Sequence, residues 1–159
     1  MNDKQPAAHI AELDFAQGLS PEAMAELAKI ARVDRFCAGE TLFREGQLYN
    51  RLHWVISGRV TLEMTTGASS PKCVLSLGKG DILAWSSVVG DGRMTAGAIA
   101  MTDTELVGFD AYKLQPLLEA DYELGYRLMR SIATSLSRRL LATRLQLLDL
   151  FHQPQEASE

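Results

Sequence analysis

The sequence predicts a mainly β protein with flanking α-helices: a double-stranded β-helix, or jelly-roll β-roll, with an N-terminal helix before it and a long C-terminal helix after it. Three observations lead there. Between Val33 and Phe109, short apolar runs rich in β-branched and aromatic residues are cut at regular intervals by turn signals. From Asp121 to Leu150 no proline interrupts, and leucines recur at helical spacing. Ahead of both, Leu19-Ser20-Pro21-Glu22 reads as a helix start. Residues 19–150 then form one domain, with the β-roll at about 33–109 and the C-terminal helices at about 111–150. A loosely ordered extension is expected over residues 1–18 and a polar tail over 151–159.

In chain order, Ile10, Leu13 and Phe15 suit a short helical turn packed on the body. Ser20 is placed to cap the first full helix, Pro21 pre-sets its first turn, and Glu22 complements its dipole. The period then changes. Turns at Ala38-Gly39-Glu40, Glu45-Gly46-Gln47, Ser57-Gly58, Thr66-Gly67 and Gly78-Lys79-Gly80-Asp81 separate Thr41–Phe43, His53–Ile56, Arg59–Met64 and Cys73–Leu77. Thr95–Ala100 and Glu105–Phe109 complete a set of about eight strands. Asp110 then caps a short helix carrying Pro116, and Asp121 caps the long one. Along the long helix Leu136, Leu140, Thr143, Leu147 and Leu150 alternate steps of four and three. Such a seam, on a helix of about 45 Å, exceeds what a small sandwich needs for its own cover, so a homodimer through paired helices is expected. The arginines Arg127, Arg130, Arg138, Arg139 and Arg144 read as a solvated face, with Arg144 beside the seam.

The totals narrow the functional classes. A chain of 159 residues, 47% hydrophobic and 23% charged, fits one soluble globular domain. Its net charge of −4 argues against a chain built to grip nucleic acid non-specifically. Cys37 and Cys73 lie outside any disulfide or zinc spacing, and no apolar run reaches membrane-spanning length. The expectation is a cytoplasmic protein with no bound metal and no membrane contact. His9, His53 and His152 offer no metal-holding set, and no nucleophile, base and acid fall together, so no catalytic residue is assigned.

The stretch from Gly80 to Ala96 carries the functional signal. Ser86 and Ser87 stand at the start of a one-turn helix, and a Gly90-Asp91-Gly92 loop leads to Arg93. Unpaired backbone N–H groups, hydroxyls and a guanidinium suit a small anion. The plain alternative is a serine-capped surface turn with a solvated arginine.

The motifs Leu42-Phe43-Arg44-Glu45-Gly46, Trp54-Val55-Ile56-Ser57-Gly58-Arg59-Val60, Leu77-Gly78-Lys79-Gly80-Asp81 and Arg138-Arg139-Leu140-Leu141-Ala142-Thr143 follow one another in this order. Over about residues 19–150 the chain resembles the cyclic nucleotide-binding domain of the catabolite activator protein and Fnr superfamily. The resemblance implies that the Gly80–Ala96 stretch is a phosphate-binding cassette, with a glutamate for the ribose 2′-hydroxyl and an arginine before Ser/Thr-Ala for the phosphate. Both anchors differ here. Ala84-Trp85 replaces Gly-Glu, and Met94 precedes Thr95-Ala96 while Arg93 stands one residue early. A one-residue offset along a strand turns a side chain to the other face, so Arg93 reaches the phosphate only through a shift of register. Short members of the family carry Gly-Trp-Ser at this turn, and Ala84-Trp85-Ser86 resembles that variant.

The candidate ligand residues are therefore Ala84, Trp85, Ser86, Ser87, Arg93, Thr95 and Ala96 on the phosphate and sugar side, and Thr143 and Arg144 on the base side. Leu136, Leu140, Leu147 and Leu150 are the dimer seam. The expected function is that of a stand-alone sensor or regulatory module that takes a small anion, cyclic AMP or cyclic GMP or a variant of these, and signals through its C-terminal helix to a protein partner. No cofactor is required. The alternative is a dimeric interaction subunit without a ligand, its pocket filled by Trp85 and Met94. Family regulators carry a helix-turn-helix domain after the long helix, and only His152–Glu159 follow Phe151 here, so no direct DNA binding is expected.

Overall fold

The structure, a computed structural model, describes residues 6–152. Two four-stranded antiparallel sheets form the roll. Strands β1 (Ala31–Phe36), β8 (Thr104–Asp110), β3 (Arg51–Ser57) and β6 (Ile82–Leu83) lie in that order in the first sheet. The second runs β2 (Thr41–Phe43), β7 (Gly97–Ala100), β4 (Val60–Met64) and β5 (Lys72–Leu77). Six of the eight strands coincide with the segments that the turn signals delimit, and β1 and β6 complete the set.

Strand alternation divides the core in two. From the first sheet, Leu52, Trp54, Ile82, Val107 and Phe109 face the helices, where Phe15 stacks 4.9 Å from Trp54 and Phe109 meets Trp54 edge-on at 5.7 Å. Val55, Leu83 and Leu106 face the roll interior and meet Phe43, Val60, Leu77 and Met94. On that interior face His53 is wholly buried, its Nε2 2.7 Å from the Tyr49 hydroxyl. Asp34 stands 3.9 Å from His53 Nδ1 and is itself held by Arg32 at 2.8 Å and Arg51 at 3.4 Å. Gly108 leaves room for the imidazole, since a Cβ there would lie 2.4 Å from Nδ1.

The helices begin where their caps predict. Ser20 Oγ accepts from Ala23 N–H at 3.1 Å to start α2 (Pro21–Ile30), and Asp110 accepts from Lys113 N–H at 3.1 Å to start α4 (Ala111–Ala120). α4 continues through Pro116, whose missing N–H falls toward the exposed side of the helix at Tyr112. Asp121 caps α5 (Tyr122–His152) through the Leu124 N–H at 3.1 Å. Gly125 permits the tight approach of the two helices, because a Cβ there would come within 2.8 Å of the Leu118 carbonyl.

Two expected boundaries are corrected. The extension assigned to residues 1–18 is not loose where it is described: α1 (Pro6–Ala11) and a 3-10 turn at Asp14–Ala16 bury Ile10, Leu13, Phe15 and Ala16 in the helix-side core. These apolar groups cover the first sheet and the start of α5, in line with the packed turn expected at Ile10, Leu13 and Phe15. Residues 1–5 lie outside the described residues. The tail assigned from residue 151 also begins late, since α5 includes Phe151 and His152; residues 153–159 lie outside the described ones. The first half of α5 is anchored by buried Leu124, Leu128 and Ile132, whereas from Leu140 onward its leucines are half or more exposed.

Candidate functional site

The cassette is closed largely by its own hydrogen bonds. After β6, Ala84 adopts φ +58°, a left-handed conformation ordinarily left to glycine, and turns the chain into α3 (Ser86–Val89). The Ala84 carbonyl accepts both the Ser87 N–H at 3.0 Å and the Ser87 hydroxyl at 2.7 Å. The Ser86 carbonyl accepts the N–H groups of Gly90 and Gly92 at 3.2 and 3.0 Å, and the Ser86 side chain is buried.

Past the loop, the strand parity follows simple alternation. Arg93 is exposed, its Nη1 3.4 Å from the Gly46 carbonyl, and its own N–H is taken by Asp91 at 3.0 Å. Met94 is buried among the interior residues, Thr95 is exposed, and Ala96, Ala98 and Ala100 are buried. The Gly46 and Met94 backbones pair through bonds at 2.8 and 3.0 Å that fix this register, the latter to the Gln47 carbonyl. No shift brings Arg93 inward. The position that the family pattern gives to an arginine is filled by a thioether in apolar surroundings.

The remaining predicted site residues do not converge either. Trp85 is half-buried and packs with Val88 on the helix-side core, so it does not fill the roll interior; Met94 does. Thr143 and Arg144 lie exposed on the free half of α5, and the Thr143 hydroxyl donates to its own helix at the Arg139 carbonyl, 2.9 Å away. Leu140, Leu147 and Leu150 are exposed on α5 and Leu136 is partly buried against the core. Among the described residues no cluster of His, Cys, Asp and Glu is suited to hold a metal, and no helix is long and apolar enough to cross a membrane.

A different concavity is larger. A groove of about 710 Å³ runs between α5 and the β5–β6 turn. Arg127, Arg130, Arg138 and Arg139 line the α5 wall, with the hydroxyls of Ser131, Thr134 and Ser135 between them. Phe15, Leu75, Leu77 and Ile82 supply the opposite, apolar wall. Arg139 crosses to donate to the Ile82 carbonyl, and burial pushes its pKa down while Asp81 pulls the other way. Reading these arginines as a solvated face missed the groove. Arg127, Arg130, Thr134, Arg138 and Ala142 share one helix face by their spacing, but the wall opposite comes from a hairpin far away in sequence.

With this geometry in view, the chain is found to match the cyclic nucleotide-binding domain family over residues 33–121. It is 29% identical over 141 residues to a CRP-like cAMP-activated global transcriptional regulator of Mycobacterium tuberculosis, covering 89% of this chain and 61% of that one. It is 30% identical over 133 residues to the cyclic AMP receptor protein of Thermus thermophilus, covering 84% of this chain and 57% of that one. A cyclic nucleotide-binding domain from Methylobacillus flagellatus superposes with a TM-score of 0.74 at 18% identity, over 98% of this chain and 84% of that one, and shares the fold. The chain belongs to the cyclic nucleotide-binding domain family, a fold of regulatory proteins. It spans about three fifths of the length of the curated relatives it matches.

Proposed function

We propose that the chain is a regulatory module that pairs with a second copy through α5, and that its roll interior is closed to a cyclic nucleotide. The observation that carries this reading is the buried Met94 with Arg93 turned to solvent. A cyclic nucleotide brings a phosphate anion that needs charged or backbone donors once desolvated, each charged hydrogen bond being worth about 1.5–3 kcal/mol. A thioether supplies none. On the sugar side Trp85 donates only, where a ribose hydroxyl asks for an acceptor.

Pairing through α5 rests on its exposed seam. Leu140, Leu147 and Leu150 are 52%, 51% and 67% exposed, in register with Leu136 and Thr143 at alternating steps of four and three. That is the coiled-coil period, and a second copy presents the same stripe. A change in how α5 seats on the roll is then the signal that a protein partner reads.

A second reading has its own support: two relatives are named for cyclic AMP, and in it the nucleotide displaces Met94 and draws in Arg93. Isothermal titration separates the two. The proposal expects no saturable heat with cyclic AMP or cyclic GMP up to millimolar concentration. Micromolar binding that Arg93→Ala abolishes would establish the second reading.

A further inference from the structure

We infer that the groove between α5 and the β5–β6 turn binds a small organic anion with an apolar or aromatic body. This deepens the reading above, because the groove is built jointly from the signalling helix and the roll. Four arginines line it against three carboxylates, Asp14, Asp81 and Glu123, so the lining carries a basic excess on a chain whose net charge is −4. Two of the four are already engaged. Arg127 pairs with Glu123 at 2.8 Å, and Arg139 is held by the Ile82 carbonyl.

The other two are not. Arg130 reaches only the Tyr126 hydroxyl, at 3.5 Å, and Arg138 has no partner among the described residues. They stand two turns apart on α5, about 12 Å along the axis, with the hydroxyls of Ser131, Thr134 and Ser135 between them. A carboxylate, sulfonate or phosphate between these guanidinium groups gains charged hydrogen bonds at either end, while an apolar body lies against Leu75 and Ile82. Arg139 adds an independent sign. It is largely buried and donates to the Ile82 carbonyl, with Asp81 of the same lining as the acidic group that supports its charge, so an anion in the groove would further favour a cation that burial disfavours.

The groove also stays open in a dimer. At 100° per residue, the centre of Arg127, Arg130, Thr134 and Arg138 falls about 160° around α5 from that of Leu136, Leu140, Leu147 and Leu150. A ligand in the groove therefore touches one protomer's helix and roll together and fixes their spacing, without competing with the seam.

The test uses 8-anilinonaphthalene-1-sulfonate as the anionic probe and uncharged N-phenyl-1-naphthylamine as its control, with the whole chain. Saturable fluorescence near one probe per chain is expected, weakened at least tenfold in the Arg130→Gln/Arg138→Gln double variant and unchanged in Leu147→Gln. Amide shifts should fall on Ser131–Arg139 and Leu75–Ile82. The inference is overturned by wild-type affinity in the double variant, by equal affinity for the uncharged probe, or by loss of binding in Leu147→Gln. Cyclic AMP shifts confined to Ala84–Ala96 would sink the closed-interior reading and leave the groove untouched; failure of the sulfonate probe would do the reverse.

Discussion

Lowering the pH from 7 to 4 is expected to remove about 3 kcal/mol of stability through one residue, His53. Its ring is completely buried, Nε2 bonds the Tyr49 hydroxyl at 2.7 Å, and Nδ1 has no hydrogen-bond partner among the described residues. Burial holds its pKa at about 4, against the pull of Asp34 and with the help of Arg51 and Arg32. Asp34 is within ion-pair reach at 3.9 Å, but it already serves two arginines and His53 is neutral at pH 7, so that contact is not an ion pair there. The folded pKa lies below the unfolded value of 6.5. As pH falls through that interval the unfolded chain takes up a proton that the folded chain refuses, and stability drops. At 1.36 kcal/mol per pH unit, the interval from 6.5 to about 4 gives roughly 3 kcal/mol. Urea unfolding of wild type and His53→Gln at pH 7, 6, 5 and 4 reads the difference, the carboxylates contributing alike to both. Parallel curves, or a His53 ring proton titrating near pH 6.5 in the folded wild type, would refute the reasoning.

Two further outcomes follow from packing. Met94→Ala empties part of the roll interior and is expected to destabilise by about 2–5 kcal/mol in denaturant unfolding, whereas Arg93→Ala changes stability by less than about 0.5 kcal/mol. Leu140→Glu with Leu147→Glu places charges in the seam and is expected to convert a dimer into a folded monomer in sedimentation, with its helical circular dichroism largely retained.

Much of the architecture was legible because its causes are local. Gly-centred turns cut the strands, and Ser20, Asp110 and Asp121 cap helices that begin where those residues stand. The parity of Arg93 and Met94 was legible as a question, since alternation alone sends one in and one out; the backbone pairing of Gly46 and Gln47 with Met94 decides it. What escaped depends on partners remote in sequence. The packing of Phe15 on the body was legible, but not that Trp54 and Phe109 are the rings it meets, and Trp85 turns to the helix side because α3 lays it there. The groove left no motif at all, its two walls being separated by some fifty residues of chain.

The most direct test of the account is an amide NMR titration of the wild-type chain with cyclic AMP to 1 mM, followed at Ala84–Ala98. The account predicts that the Met94 and Ala98 resonances stay in place, with Met94 remaining in its apolar packing. Saturable shifts at Ser86, Arg93 and Met94 with micromolar affinity would contradict it, showing that the interior opens and that the cassette takes the nucleotide.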